Sequence, residues 1–113
     1  MAMANFLYVF RGDGMARLSP QEMQKQMDRW RTWIEQLTKS GNFKAGEPLE
    51  RNGKVVNGRK KLVTDGPYAE SKDLVGGYVL LTAANLDEAV ELSRGCPIFE
   101  TDGSVEVRPI AQM

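Results

Sequence analysis

The chain has 113 residues, of which 42% are hydrophobic and 27% charged, and its 15 basic and 15 acidic residues cancel. This size and composition predict one soluble globular domain over residues 1–113, with no membrane span. A net charge of zero gives no long-range attraction to nucleic acid or to an anionic membrane, so we expect neither as a partner.

The counts of histidine and cysteine narrow the possible chemistry. The chain has no histidine and one cysteine, so it lacks the commonest general base and the commonest zinc ligand. We therefore expect no metal and no cofactor. Magnesium or calcium held by carboxylates is the alternative, but no loop of calcium-binding spacing occurs. A single cysteine allows no intrachain disulfide, and a reducing, cytoplasmic location is the simplest expectation. We interpret Cys96 as a small buried hydrophobic residue, because no histidine can activate it.

The first two predicted elements are a strand and a long helix. Asn5–Phe10 (NFLYVF) is aromatic and β-branched, apolar on both faces, and predicts a strand. The loop after it contains Arg-Gly-Asp, to which we assign no role because the tripeptide is common by chance. Ser19 and Glu22 form a capping-box pattern that predicts a helix running to about Ser40 and ending at Gly41.

One stripe of this helix is apolar, and Trp33 lies at its edge. We interpret the stripe as core packing, since charged residues occupy the opposite face. Trp33 is the exception, because it could instead line a pocket or an interface. The stripe consists of Met23, Met27, Trp30, Ile34 and Leu37.

The second half of the chain predicts shorter elements. Phe43–Glu50 (FKAGEPLE) predicts a short, poorly patterned strand, and KVVNGRKKLVT predicts a hairpin whose turn is Asn57-Gly58. GGYVLLTA predicts a strand that is apolar on both faces around Tyr78–Leu81. A short helix capped by Asn85 follows, and SVEVRPI predicts a last strand with one polar face.

This order, β-α-β-(hairpin)-β-α-β, predicts an α+β fold: a ferredoxin-like split βαβ subunit with an extra hairpin. In that topology the first and third main strands are central, and these are the two strands that are apolar on both faces. Two helices cover only one face of the sheet. The other face would be a large exposed apolar patch, so we predict a homodimer in which two sheets pack together.

The stretch LVTDGPYAESKDLVGGYVLL resembles the signature of the YCII-related, or DGPF-domain, family. Asp65-Gly66-Pro67-Tyr68 stands where that family has Asp-Gly-Pro-Phe or a close variant, and the likeness extends from about Asn5 to Ile110. The resemblance implies a dimeric α/β barrel of ferredoxin-like subunits. It implies little about a reaction, because most members have no assigned activity.

The resemblance also carries two functional associations. Some members occur beside sigma factors or fused to them, which implies a possible protein partner. A related branch includes a dechlorinating lyase-type enzyme with a proposed His-Asp catalytic pair. This chain has no histidine, so that pair cannot operate here.

The segment Asp65–Lys72 has a structural and a functional interpretation. In the structural one, Pro67 ends the hairpin strand and Asp65 accepts a hydrogen bond within its own turn. In the functional one, the segment forms the lip of a pocket. Tyr68 would then supply an aromatic wall, and Asp65 or Glu70 would act as an acid or base without histidine.

Two arginines complete the candidate site, since Arg11 or Arg108 could hold an anionic group of a ligand. We predict a homodimeric small-molecule-binding or accessory module of unknown specific function. The first alternative is a metal-free lyase or isomerase that uses Asp65 or Glu70. The second is a regulatory partner of a sigma-type transcription factor.

Overall fold

The computed structural model describes residues 3–66 and 73–113. Strands and helices follow in the predicted order within these ranges. The strands are β1 (Ala4–Arg11), β2 (Phe43–Pro48), β3 (Gly53–Asn57), β4 (Leu62–Gly66), β5 (Val75–Ala83) and β6 (Ser104–Pro109). The helices are α1 (Pro20–Lys39) and α2 (Leu86–Ser93), and short 3₁₀ turns lie at Gly14–Arg17 and Pro97–Thr101.

Four of the strands form an antiparallel sheet in the order β2-β5-β1-β6. Strands β1 and β5 are therefore central, as predicted from their apolar character on both faces. Tyr8 on β1 lies opposite Val79 on β5 and Val107 on β6. The α+β fold with a ferredoxin-like strand order is confirmed.

Both helices cover the same face of this sheet. Phe6, Tyr8 and Phe10 alternate along β1 and are buried beneath them. The Tyr8 ring stacks on Trp33 of α1 with centroids 5.9 Å apart, and the Tyr8 hydroxyl donates a hydrogen bond to the Ala89 carbonyl of α2. This one side chain thus joins the sheet to both helices, and its burial raises the pKa of the phenol.

No helix of the described residues lies over the opposite face of the sheet. Leu7 and Val9 of β1 lie there, opposite Leu80 and Tyr78 of β5, and all four are only half-buried. Apolar side chains grouped on an open sheet face are typical of a protein–protein contact.

Strands β3 and β4 form a separate two-stranded sheet, here called the arm. Asn57 belongs to β3 and pairs with Leu62, so the turn consists of residues 58–61. The prediction of a two-residue turn at Asn57-Gly58 was therefore wrong. A type I′ turn needs positive φ at both of its central residues, whereas here Gly58 (φ 72) and Lys61 (φ 55) adopt that conformation.

The ends of the helices agree with their sequence signals. Ser19 accepts a hydrogen bond from the Glu22 amide while the Glu22 side chain accepts one from the Ser19 amide, so the capping box is present. Gly41 follows α1 at a positive φ of 80°, and Asn85 caps α2 through the Glu88 amide.

No helix in residues 3–66 and 73–113 is long and apolar enough to span a membrane.

Candidate functional site

A cavity of about 590 Å³ lies between α1 and the end of the sheet where β1 finishes and β5 begins. We call it the α1 cavity. Its helical wall consists of Met23, Met27, Trp30 and Ile34 from the apolar stripe of α1, and aromatic or aliphatic side chains from the strands face it. The apolar residues that line it include Met15, Met23, Met27, Trp30, Ile34, Phe10, Phe43, Val79, Leu74 and Ile98.

The floor of the α1 cavity contains glycines at two positions that face the helices. Gly77 lies opposite Phe10, and Gly46 lies opposite Val79. A Cβ atom at Gly77 would lie 2.9 Å from the Glu47 carbonyl oxygen, and one at Gly46 would lie 2.8 Å from the Tyr78 carbonyl oxygen. Glycine is therefore required for the close approach of β2 and β5, and it leaves space under α1 that side chains would otherwise fill.

Few charged side chains accompany these apolar walls. Among the described residues that line the α1 cavity, the charged ones are Asp13, Glu47 and Arg51. Asp13 follows β1, and only 18% of its side chain is exposed. Its Oδ1 accepts a hydrogen bond of 3.2 Å from Nη2 of Arg17. Glu47 and Arg51 are exposed at the rim.

Asp65, the first sequence candidate, lies on the arm. Its side chain is 87% exposed and forms an ion pair with Lys54 across β3 and β4. It is not one of the described residues that line the α1 cavity. Tyr68 and Glu70 lie outside the described residues.

Arg11 and Arg108 meet on the uncovered face of the sheet, where both contact Glu106. Nε of Arg11 and Nη1 of Arg108 each donate a hydrogen bond of 3.1 Å to the carboxylate. The hydrogen bonds from Arg108 and then Arg11 hold the pKa of Glu106 below its usual value. Arg11 also donates to the Asp73 carbonyl at 2.9 Å. The structure thus brings the two predicted arginines together, but on the face opposite the α1 cavity.

Trp33 belongs to the core. It is 4% exposed, and its Nε1 donates a hydrogen bond of 3.1 Å to the Leu92 carbonyl near the end of α2. It also borders a shallow depression between α1 and the 3₁₀ turn after α2. Its neighbour Trp30 is the tryptophan that lines the α1 cavity. Within the described residues, Nε1 of Trp30 is buried without a hydrogen-bond acceptor, and its ring packs edge-to-face against Phe10 at 4.9 Å.

The remaining acidic and sulfur groups of the described residues form neither a metal site nor a nucleophile site. No group of three His, Cys, Asp or Glu residues suited to a metal ion occurs in the part of the chain that the structure describes. Cys96 is buried as predicted, and burial raises the pKa of its thiol to about 12. A thiol in that state is a poor nucleophile.

Sequence reasoning did not select Asp13. The signal was present, because a carboxylate between two glycines directly follows a central strand, and loops at strand ends often carry binding residues. Only the packing of α1 over this strand end shows that Asp13 borders a cavity.

Comparisons with known proteins agree with this architecture. A family model for the YCII-related domain matches residues 6–113. An uncharacterized protein of Rhizobium meliloti is 43% identical over 51 residues, which span 44% of this chain and 41% of that protein. The solved structure of the 5-chloro-2-hydroxyhydroquinone dehydrochlorinase from Burkholderia phenoliruptrix, in complex with 2,5-dihydroxybenzoquinone, is similar in fold. The two structures align with a TM-score of 0.50 and 15% identity, over 96% of this chain and 95% of the other.

Proposed function

The chain belongs to the YCII-related domain family, and from its α1 cavity we propose that it is a homodimeric module that binds a small organic molecule there. The observation that carries the proposal is the cavity of about 590 Å³ with largely apolar walls. Ligand sites in proteins have volumes of about 300–1,000 Å³ and a few polar groups among apolar side chains. A cytoplasmic location is part of the same proposal.

The composition of the walls supports the binding of ring compounds. Phe10, Trp30 and Phe43 offer flat apolar surfaces, and Met23 and Met27 are flexible side chains that can adapt to a ligand's shape. A site built this way suits a ligand that is held mainly by burial of apolar surface, at about 25 cal/mol per Å².

The uncovered sheet face supports the homodimer. Leu7, Val9, Leu80 and Tyr78 form its apolar centre, and a second sheet packed on it would remove that surface from water. We expect sedimentation to give a species of two chains of 12.6 kDa each. Leu80→Glu should yield monomers, because it would bury an unpaired charge between the sheets. Lys39→Glu, at an exposed position on α1, is the control, and a monomeric wild type would contradict the proposal.

Binding can be tested with N-phenyl-1-naphthylamine, a neutral fluorescent ring compound. We expect saturable binding of one molecule per chain, with blue-shifted emission. Met23→Trp should weaken binding at least about 10-fold by filling the cavity with a larger side chain. Gln24→Trp places the same side chain at the next, exposed position of α1 and should change little. Absence of saturable binding, or equal effects of the two variants, would refute binding in the α1 cavity.

Our second candidate is a metal-free lyase or isomerase. The similar fold of a dehydrochlorinase is compatible with it, although at 15% identity that likeness concerns the fold. The reaction would need a carboxylate as acid or base, and Asp65 and Glu70 remain the sequence candidates. We expect Asp65→Asn and Glu70→Gln to abolish turnover of an identified substrate, and unchanged turnover in both would contradict this assignment. A sigma-type protein partner stays a prediction from the family resemblance.

A further inference from the structure

We propose that Asp13 is a ligand-binding residue of the α1 cavity, and that its carboxylate accepts a hydrogen bond from the hydroxyl group of a neutral, otherwise apolar ring compound. This inference rests on the proposed function, since it names the class of molecule that the same cavity takes. The Asp13 carboxylate is mostly buried and borders the apolar α1 cavity.

The backbone around Asp13 is fixed by close contacts. The Gly12 amide donates a hydrogen bond of 2.9 Å to the Leu74 carbonyl, and Gly12 adopts a φ of 128°, which favours glycine. A Cβ atom at Gly14 would lie 2.2 Å from the Thr101 carbonyl oxygen. The loop is therefore held against two other segments, and Asp13 is held at the cavity before a ligand arrives.

The ordinary structural role of an aspartate at this position is not used. Asp13 precedes the 3₁₀ turn Gly14–Arg17, where its side chain could cap the free amides, but it makes no such hydrogen bond. Its side-chain partner is Arg17, through Oδ1 at 3.2 Å. In the described part of the chain no donor is bonded to Oδ2, which leaves one carboxylate oxygen available to a ligand.

The partial burial of Asp13 distinguishes it from Asp65, the carboxylate that the sequence motif favoured. Its side chain is 18% exposed, compared with 87% for Asp65. A carboxylate at an apolar cavity forms stronger hydrogen bonds than one surrounded by water, because the local dielectric constant is lower. Asp13 is therefore better placed than Asp65 to orient a small molecule in this space.

The charges around the cavity indicate a neutral ligand. Arg17 compensates Asp13 at 3.2 Å, and the two exposed rim residues, Glu47 and Arg51, carry opposite charges. A ligand with a net charge would gain no compensating charge and would lose its hydration on entering apolar walls. A hydroxyl group is a neutral donor that suits Oδ2, and the rest of the ligand would contact methionine and aromatic side chains.

The test compares two probes of the same shape. In 2-(hydroxymethyl)naphthalene a hydroxyl replaces the terminal methyl group of 2-ethylnaphthalene. Both are titrated as competitors of N-phenyl-1-naphthylamine. The preference for the hydroxyl compound is the dissociation constant of 2-ethylnaphthalene divided by that of 2-(hydroxymethyl)naphthalene. We expect Asp13→Leu to lower this ratio by about 10-fold, the effect of one hydrogen bond to a charged acceptor. Affinity for 2-ethylnaphthalene should stay within about 2-fold. Glu35→Leu, at an exposed carboxylate of α1 that does not line the cavity, is the matched control.

The outcomes separate this inference from the proposed function. If both probes bind and Asp13→Leu leaves the preference unchanged, the role of Asp13 is refuted and binding in the cavity stands. If neither probe nor the fluorescent compound binds the wild type, both proposals fail. Should Asp13→Leu not fold, as judged by circular dichroism, Asp13→Asn takes its place. The amide is a weaker acceptor of the same shape, so we expect about a 3-fold loss of preference, and an unchanged preference would again refute the role.

Discussion

Replacement of Trp33 by phenylalanine distinguishes a core residue from a ligand-binding one. Trp33 is 4% exposed and donates a hydrogen bond of 3.1 Å to the Leu92 carbonyl. Leu92 lies in the last turn of α2, where carbonyl groups have no partner within the helix. The indole therefore both fills the core and satisfies an end of α2, and neither role involves the α1 cavity.

The expected loss of stability follows from these contacts. Phenylalanine lacks two ring carbons of the indole, which are worth about 0.8 kcal/mol each when buried. Loss of the hydrogen bond leaves the Leu92 carbonyl without its donor and adds about 1 kcal/mol. Trp33→Phe should thus reduce the free energy of unfolding by about 2.5 kcal/mol, or the melting temperature by roughly 10 °C for a domain of this size.

Trp30 provides a matched control on the same helix and in the same aromatic cluster. Within the described residues its Nε1 is buried without an acceptor, and the ring is half-buried. Trp30→Phe therefore breaks no hydrogen bond and removes an unsatisfied donor, so it should cost about 1 kcal/mol or less. Because Trp30 lines the cavity, it should alter the binding of N-phenyl-1-naphthylamine, whereas Trp33→Phe should not.

The assay is urea unfolding followed by far-ultraviolet circular dichroism, at one fixed protein concentration because the stability of the proposed dimer would depend on it. Equal losses of stability in the two variants would refute the assignment of the Trp33 hydrogen bond. Weaker binding of the fluorescent compound to a folded Trp33→Phe protein would show that Trp33 contributes to the ligand site after all.

Three further predictions concern single side chains. Ser19→Ala removes the hydroxyl oxygen that accepts a hydrogen bond from the Glu22 amide, and it should lower the free energy of unfolding by about 1 kcal/mol in the same assay. If stability does not change, the start of α1 is frayed and the cap is not formed. Gln26, buried and 2.7 Å from the Pro97 carbonyl, should tolerate glutamate only at low pH. Burial would raise the pKa of this glutamate in the folded protein. The free energy of unfolding should therefore be lower by about 2–4 kcal/mol above that pKa, and the loss should disappear below the unfolded pKa of about 4.3. A loss that does not depend on pH would contradict burial of the charge. Burial raises the pKa of the Cys96 thiol to about 12, so Cys96 should react with a disulfide reagent at pH 8 at least about 10-fold more slowly in the folded protein than in urea, and equal rates would contradict its burial.

Local sequence signals specified the secondary structure well. The capping box at Ser19 and Glu22, the Asn85 cap and Gly41 after α1 all act within a few residues, and each is present as predicted. Apolar character on both faces of β1 and β5 also identified the central strands, because the middle of a sheet is the part whose two faces lie farthest from its solvated edges. The hairpin turn was predicted wrongly, since a two-residue and a four-residue turn both accommodate Asn-Gly there.

The candidate site depended on tertiary packing. The sequence identified Arg11 and Arg108 as separate cations, and the sheet places both beside Glu106 on the uncovered face. It favoured Asp65 because of its motif, while the fold exposes that side chain on the arm. Asp13, which belongs to the Arg-Gly-Asp tripeptide that was assigned no role, borders the cavity all the same.

The sequence by itself therefore determined the elements, their order and the two central strands, because capping, turn residues and periodicity are local properties of the chain. It also excluded histidine as an acid, base or metal ligand, because the chain contains none. Tertiary structure alone decided that Asp13 and not Asp65 lies at the cavity, and that Trp30 and not Trp33 lines it. The side chains of Asp13, Trp30 and Val79 come together only when α1 packs across β1 and β5, and residues so far apart in sequence leave no periodic signal of that contact.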